Sequence, residues 1–340
     1  MHRISLLTLA VVVSGAAAAP GPKESKPTPI TAENAAQVRA AFEAPLVANR
    51  VLRGHKPGAL ILFDGKGPAE VVDDATLKPV RTLNKDRSPT DLAVSRDGKL
   101  IAWTERNATS YTVQDTETGK TFAIEIGDHP GRAKFSPDNQ LLAIGYTFWD
   151  PTAEGVGHSE VRLFDVTGKH LRTFDKTGPG AVHPVFSPDG KILAVGNRNH
   201  LTQLFDVATG KLLHKLDKKM IQEIAFSPDG KTLAAGYVEG EVALWDVATG
   251  KLLHSAPSGC KEIYSVDWSP KGDVLATAGR DGNIILWDPV TFAKLKELEA
   301  QFWVAQVRFT ADGARLLTSG AADHGATVQR KITVWAVGGK

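Results

Sequence analysis

Short apolar runs alternate with polar turns along most of this chain of 340 residues. The runs at residues 224–226 and 232–237, for example, lie on either side of one polar turn and are rich in apolar and aromatic side chains. Runs of this length and composition, bounded by turn residues, are typical of β-strands. The pattern therefore predicts an all-β chain.

One strand ending recurs along the chain at a nearly fixed interval. Each copy is a short strand that ends in aspartate, or in alanine in the last copy, and successive copies are 42, 50, 41, 40, 42 and 48 residues apart. A self-similarity of roughly 40 to 45 residues with this ending predicts a β-propeller with one blade per repeat. The seven copies end at Asp73, Asp115, Asp165, Asp206, Asp246, Asp288 and Ala336.

Two turn motifs recur with the same period. Ser-Pro-Asp-Gly at residues 187–190 and 227–230, with variants in other repeats, lies between two apolar runs. Its proline presets φ at about −65°, and its aspartate and glycine tolerate tight backbone conformations. Asp-Val-Ala-Thr-Gly-Lys at 206–211 and 246–251 begins at the strand ending, where the aspartate can accept backbone N–H bonds. Each repeat therefore predicts four antiparallel strands joined by short turns.

Turn, strand ending and spacing together resemble the WD-repeat family over roughly residues 36–336. The resemblance implies a seven-bladed β-propeller of four-stranded antiparallel blades whose ring is closed by an N-terminal strand. Residues 37–43 are the candidate for that strand, and a short helix over 33–43 is the alternative. The family's buried Asp-His-Ser/Thr-Trp tetrad is incomplete, because the sixth repeat has Asp281, Thr277 and Trp287 but no preceding Gly-His pair.

The first residues of the chain differ from the repeats. A cationic start, an apolar run over residues 4–13 and small residues at 14–19 are typical of a secretory signal peptide. We expect cleavage after Ala18, and an uncleaved apolar N-terminus is the alternative. These features predict a signal peptide over 1–18, a linker over 19–30 and a single propeller over 31–340, in an exported protein that is periplasmic or secreted and bacterial in type.

Charge and composition limit the partners. The chain has 40 Lys and Arg against 38 Asp and Glu, interleaved along the repeats, and a formal net charge of +2. A nucleic-acid footprint needs clustered basic residues, and no internal stretch approaches the roughly 20 apolar residues of a membrane helix. We therefore expect a monomer with no nucleic-acid partner and no membrane span.

Motifs for catalysis are missing from the sequence. It has no His-Glu-x-x-His helix, no cysteine cluster and no Gly-x-Ser-x-Gly turn. We therefore expect no enzyme activity, no catalytic or metal-binding residues and no cofactor. The alternative is a propeller enzyme, or a small-ligand or metal binder, that uses His129, His183 or His200 at the channel mouth. Cys260, beside Lys261, is either a reactive thiol or a plain buried one.

The candidate binding surface lies on the face opposite the turns. Two repeats carry insertions between their second and third strands, at residues 146–158 and 321–330, and long loops on a rigid scaffold often carry function. Alignment on the turn serine predicts which residues line the channel mouth on this face, where Trp, Tyr and Arg suit a binding hot spot. For Trp303 and Met220, packing between blades is the alternative. The predicted partner-binding residues are Trp303, Tyr264, Met220, Glu262, Arg280, Trp149, His129 and His200.

The sequence thus predicts a non-enzymatic scaffold that binds a protein or peptide through its long-loop face. A permanent structural module of a larger envelope assembly is a third possibility, which differs only in how long the partner stays bound.

Overall fold

The computed structural model of this chain describes residues 27–337, except 45–49, 54–57, 65, 84–86, 127–129, 149–157, 178–181, 198–200, 217–218 and 325–326. The described residues form one 3-10 turn and twenty-eight strands, arranged as seven four-stranded antiparallel sheets. The first strands of all seven sheets line one central channel, and in six of the seven neighbouring pairs these strands contact each other. The predicted all-β, seven-bladed propeller is therefore confirmed. Within this described part of the chain, no helix has the length and apolar character needed to cross a bilayer.

Each sheet is one blade, and its strands mostly follow one another in chain order. The 3-10 turn spans Ala35–Gln37 and leads into β1 (Val38–Ala44). Blade one consists of β2 (Arg50–Arg53), β3 (Ala59–Phe63), β4 (Ala69–Asp73) and β5 (Pro79–Leu83). Blade two consists of β6 (Pro89–Val94), β7 (Leu100–Glu105), β8 (Ser110–Asp115) and β9 (Thr121–Glu125). Blade three consists of β10 (Pro130–Phe135), β11 (Leu141–Phe148), β12 (His158–Asp165) and β13 (His170–Thr177).

The remaining blades follow the same plan. Blade four consists of β14 (Val182–Phe186), β15 (Ile192–Asn197), β16 (Leu201–Asp206) and β17 (Leu212–Lys215). Blade five consists of β18 (Ile221–Phe226), β19 (Thr232–Tyr237), β20 (Glu241–Asp246) and β21 (Leu252–Pro257). Blade six consists of β22 (Ile263–Trp268), β23 (Leu275–Gly279), β24 (Asn283–Trp287) and β25 (Lys294–Glu299). Blade seven consists of β26 (Trp303–Phe309), β27 (Arg315–His324) and β28 (Thr327–Val337), together with β1.

The outer strand of blade seven comes from the N-terminal side of the chain, as predicted. Strand β1 pairs antiparallel with β28, with Val38 opposite Val337 and Ala44 opposite Ile332. The alternative of a helix over 33–43 is reduced to the single 3-10 turn that precedes β1. Because the pairing covers the edge of β28, both ends of the repeat region are held in one blade.

Residues just before the closing strand also contact blade seven. The Ile30 N–H donates a 2.8 Å hydrogen bond to the Gly313 carbonyl. The Ile30 side chain is buried in the same apolar cluster as Phe309 and Leu316. The last residue of the segment predicted as a linker therefore packs against the propeller.

Apolar side chains fill the spaces between neighbouring blades. Leu244 of blade five packs with Trp268 and Leu275 of blade six in one buried cluster. Leu60 of blade one packs in the same way with Leu317 of blade seven, which completes the ring. Full burial of a side chain of this size stabilises a fold by about 1.5–3 kcal/mol. Contacts between blades are thus the repeated source of stability.

The Ser-Pro-Asp-Gly motif forms the tight turns between first and second strands. In blade five, the Ser227 hydroxyl donates a 2.6 Å hydrogen bond to Asp229 Oδ1 and accepts a 3.0 Å bond from the Thr232 N–H. Gly230 takes a φ of +73° there and donates its N–H to the Ser227 carbonyl. The Ser227 hydroxyl lowers the pKa of Asp229 below its usual value, so the carboxylate that holds the turn is ionised at neutral pH.

The second motif forms the turns between third and fourth strands, on the same face as the first. Asp246 Oδ1 accepts hydrogen bonds from the N–H and the hydroxyl of Thr249, at 2.7 and 2.6 Å. The Val247 N–H donates a 2.9 Å bond to the Lys231 carbonyl, which joins the two turns of this blade. We call this side of the ring the turn face and the opposite side the loop face.

The two insertions on the loop face are partly β-hairpin. Strands β27 and β28 stay paired out to His324 opposite Thr327. Strands β11 and β12 stay paired out to Phe148 opposite His158. The Arg330 guanidinium lies 3.1 Å from Asp64 Oδ2, so the hairpin of blade seven is tied to blade one. The sequence predicted loops here, whereas the backbone continues the strand pairing beyond the blade.

Of the polar tetrad that the resemblance implies, the described residues show a Trp–Thr pair in two blades. Trp287 Nε1 donates a 3.0 Å hydrogen bond to Thr277 Oγ1, and Trp335 Nε1 donates a 2.9 Å bond to Thr318 Oγ1. Asp281 instead accepts a 3.0 Å bond from a backbone N–H at the loop face. Apolar packing therefore carries most of the cohesion of these blades.

We expect Gly230→Ala to destabilise the propeller by about 1–2 kcal/mol. The residue has a φ of +73°, and a Cβ would lie 3.3 Å from Pro188 Cδ in the neighbouring turn. Gly67→Ala is the matched control, because a Cβ there meets open space. Urea unfolding followed by tryptophan fluorescence measures both variants, and equal midpoints for the two would contradict the prediction.

Candidate functional site

A polar and aromatic patch lies on the loop face across blades five, six and seven. Glu262 is its centre, because its Oε1 accepts a 3.0 Å hydrogen bond from Gln222 Nε2. Its Oε2 lies 3.3 Å from the Tyr264 hydroxyl and 3.6 Å from Arg280 Nη1. Tyr264 in turn makes an edge-on ring contact with Trp303, with centroids 6.0 Å apart. We call these five connected residues the Glu262 patch.

The Glu262 patch is anchored at its centre and accessible at its rim. Trp303 is 37% exposed and the Arg280 side chain 69%, whereas the Glu262 side chain is only 19% exposed. Trp303 therefore presents part of its indole ring to solvent instead of being fully packed between blades. Exposed aromatic and guanidinium groups held in place by a mostly buried carboxylate match the residue types of interface hot spots.

Of the other predicted partner-binding residues, only Met220 is among those that the structure describes. Met220 is partly buried in the turn before blade five, where its carbonyl accepts a 3.0 Å hydrogen bond from the Val238 N–H. Trp149, His129 and His200 lie outside the described residues. The structure thus brings together four of the eight predicted residues, namely those of the Glu262 patch other than Gln222.

A second concentration of polar side chains lines the central channel. A polar or charged residue occupies the equivalent position in all seven first strands, one residue before a buried apolar side chain. Because the first strands surround the channel, these residues converge there from separate repeats. In blade order they are Arg50, Asp91, Arg132, His183, Glu223, Ser265 and Gln306.

Glu223 joins three blades through ion pairs that cross the channel. Its Oε2 lies 3.2 Å from Arg132 Nη1 of blade three, and its Oε1 lies 3.2 Å from Arg308 Nη2 of blade seven. Burial by itself would raise the pKa of Glu223, but the two guanidinium groups bring it down to about 2. Breaking such a buried pair by removing one partner is strongly destabilising. Glu223 is therefore a structural link of the channel.

Carboxylates of the first strands also bind backbone groups of the next blade. Asp91 Oδ2 accepts a 2.9 Å hydrogen bond from the Ala133 N–H and lies 2.9 Å from the Tyr111 hydroxyl. Asp267 Oδ2 accepts a 2.7 Å bond from the Phe309 N–H. These bonds join neighbouring blades at the channel wall, so the carboxylates have structural partners.

The described residues give little support to catalysis. No group of three or more His, Cys, Asp or Glu side chains that could hold a metal ion occurs among them. His183 is buried in the first strand of blade four. Cys260 is 5% exposed, and burial raises the pKa of its thiol to about 11. A thiol in this state is protonated at neutral pH and favours the interpretation as a plain buried cysteine.

Segments of the chain match known WD-repeat sequences. The family model described as "Anaphase-promoting complex subunit 4 WD40 domain" matches residues 215–268, and the model described as "WD domain, G-beta repeat" matches residues 250–288. The chain is also 34% identical over 85 residues to the small ribosomal subunit protein RACK1y of Oryza sativa subsp. japonica. That alignment covers 25% of this chain and 23% of the relative. Together with the seven-bladed ring, these matches support a WD-repeat β-propeller.

Of these first-strand polar residues, only His183 is among the candidates predicted from the sequence. The residues differ in type from blade to blade, so no repeated motif marks them. The register that located the Glu262 patch also places Arg132 and Glu223 four positions before the turn serine of their repeats. A charged residue in a predicted strand, next to apolar residues that are expected to be buried, is the pattern that would predict them.

We expect acid to remove the stabilisation that Glu223 provides. Its pKa is about 2 in the folded protein and 4.5 in the reference state. The contribution is therefore complete above pH 4.5 and is lost as the pH falls towards 2. Glu223→Gln should be less stable than wild type at pH 7, and this difference, on the order of 3 kcal/mol, should shrink as the pH falls.

Urea unfolding at several pH values between 7 and 2 measures this difference. Glu117→Gln is the control, because its side chain is 68% exposed and its removal should leave the pH profile unchanged. A difference between wild type and Glu223→Gln that stays constant across the range would contradict the prediction.

Proposed function

We propose that this protein is a non-enzymatic scaffold that binds a protein or peptide partner through the Glu262 patch on its loop face. The WD-repeat propeller and the local similarity to RACK1y support a protein-interaction scaffold in general. The observation that supports this particular surface is the connected set of Trp303, Tyr264 and Arg280 around a mostly buried carboxylate.

The residue types of the patch favour a peptide with both an apolar and an acidic group. The accessible part of the Trp303 indole offers an apolar surface. Arg280 has a single ion pair, at 3.6 Å, among the residues that the structure describes, and a guanidinium carries five N–H donors. A carboxylate next to an apolar side chain would contact both groups at once.

Other aspects of the proposal rest on composition and position. The formal net charge of +2 gives no basic footprint, and we propose a monomer without a nucleic-acid partner. A small-ligand or metal site at the channel mouth is the second candidate function. It has less support, because His183 is buried and the other two histidines lie outside the described residues.

We expect the double variant Trp303→Ala, Tyr264→Ala to weaken partner binding at least tenfold. Truncation of a hot-spot residue typically costs about 2 kcal/mol or more, and a factor of ten is about 1.4 kcal/mol. Affinity capture from the native cell-envelope fraction, followed by titration with the captured partner, measures the loss.

Val290→Ala is the control, because Val290 is 81% exposed and lies outside the Glu262 patch. The melting temperature of the double variant should stay within a few degrees of wild type. Unchanged capture by a folded double variant would overturn the assignment of this surface.

We also propose that the protein is exported and cleaved after Ala18. The support is the cationic, apolar and small-residue pattern of residues 1–19. Expression of the full chain in a bacterium should give a periplasmic product whose intact mass begins at Ala19. A cytosolic product that retains residue 1 would contradict export.

A further inference from the structure

The walls of the central channel carry more basic than acidic residues. The seven first strands contain five basic and three acidic side chains, a formal excess of two positive charges with His183 neutral. The basic residues are Arg50, Arg53, Arg132, Lys134 and Arg308, and the acidic ones are Asp91, Glu223 and Asp267.

The three carboxylates already have partners, which leaves two of the basic side chains unpaired. Asp267 Oδ2 lies 2.7 Å from Arg53 Nη2, and the contacts of the other two carboxylates are described above. Within the described part of the chain, no ion pair up to 4.0 Å and no hydrogen bond reaches the Lys134 ammonium or the Arg50 guanidinium. A partly buried cation without a partner is unusual, because its hydration has been reduced without compensation.

Neighbouring positive charges raise the free-energy cost of keeping the Arg50 and Lys134 side chains charged. The Arg132 guanidinium, and then burial, lower the pKa of Arg50 to about 10. Burial, and then the Arg308 guanidinium, lower the pKa of Lys134 to about 8. A base whose pKa is lowered lies where further positive charge is disfavoured, so an anion bound nearby would relieve both effects.

The channel also contains space for a ligand. A cavity of about 340 Å³ is lined by Lys134, Arg308 and Glu223 together with apolar residues such as Leu52 and Phe135. Small-molecule sites in proteins typically have volumes of about 300–1,000 Å³, mostly apolar walls and a few polar groups that fix orientation. Twelve of its seventeen lining residues are apolar, and the charged ones, Arg53, Lys134 and Arg308 against Glu223 and Asp267, leave an excess of one positive charge.

We propose that this channel cavity binds a small organic anion through a phosphate or carboxylate group that pairs with Lys134. Arg308 in the same cavity adds positive potential, and the apolar lining contacts the rest of the ligand. This site shares no residue with the Glu262 patch. The test of anion binding therefore does not depend on whether a partner binds the loop face.

Titration with inorganic phosphate and, separately, with acetate tests the proposal. The mature protein is titrated at constant ionic strength set with chloride, and binding is followed by NMR. We expect saturable binding that weakens at least fivefold in both Lys134→Met and Lys134→Gln. Lys251→Met, at an exposed turn position, is the matched control and should bind as wild type does.

The two anions distinguish the ligand groups. Binding of phosphate alone supports a phosphate ligand, and binding of acetate alone supports a carboxylate ligand. The absence of saturable binding of either anion overturns the proposal, and so does equal binding by wild type and both folded Lys134 variants.

A pH series with acetate gives an independent readout. Acetate keeps one charge between pH 7 and pH 9, so a loss of affinity in this range reports on the protein. As Lys134 loses its proton around pH 8, the affinity should fall by up to about tenfold, and Lys134→Met should lack this dependence. The same profile in both proteins overturns the role of Lys134. The charged groups that act on Lys134 or line the same cavity are Arg53, Asp91, Arg132, Glu223, Asp267 and Arg308.

Discussion

Closure of the ring is the constraint on which the rest of this structure depends. Each blade buries its two apolar faces only by packing between two neighbours, so an open stack would leave one face exposed at either end. Packing of Leu60 against Leu317 removes those two exposed faces, and pairing of β1 with β28 covers the remaining strand edge. Once seven blades are fixed in a ring, their first strands must converge on one channel.

This convergence explains why charge can be placed at the centre of an otherwise apolar fold. Arg132, Glu223 and Arg308 come from blades that are not neighbours, yet their side chains meet across the channel. Removing charges from water is costly, and the cost is offset only where the geometry pairs them well. The ring supplies charge partners for Glu223 and Asp267 and hydrogen-bond donors for Asp91, and it leaves Lys134 without a protein partner among the described residues.

The fold constrains the residue types of the turn face more strongly than those of the loop face. On the turn face, Ser227 and Asp229 are committed to holding the backbone of a tight turn, and the equivalent residues of other repeats do the same. On the loop face no such motif is required, so residues can vary from blade to blade. The Glu262 patch uses that freedom, since a rigid scaffold positions loop residues without dictating their identity.

The sequence by itself determined the seven blades and their turns, because both are specified by local chemistry, whereas the closing strand was expected only from the resemblance to the WD-repeat family. Proline, aspartate and glycine set the turns over a few residues, and the apolar runs between them set the strands. The register of the turns also located Glu262, Tyr264 and Trp303 on one face, and the loop between second and third strands located Arg280 there. Only the tertiary structure decided that Glu262 binds its neighbours, that the insertions continue as hairpins and that charges meet in the channel. These features join residues as far as 214 positions apart, as Arg53 and Asp267 are, and no local pattern specifies which distant side chains a closed ring brings into contact.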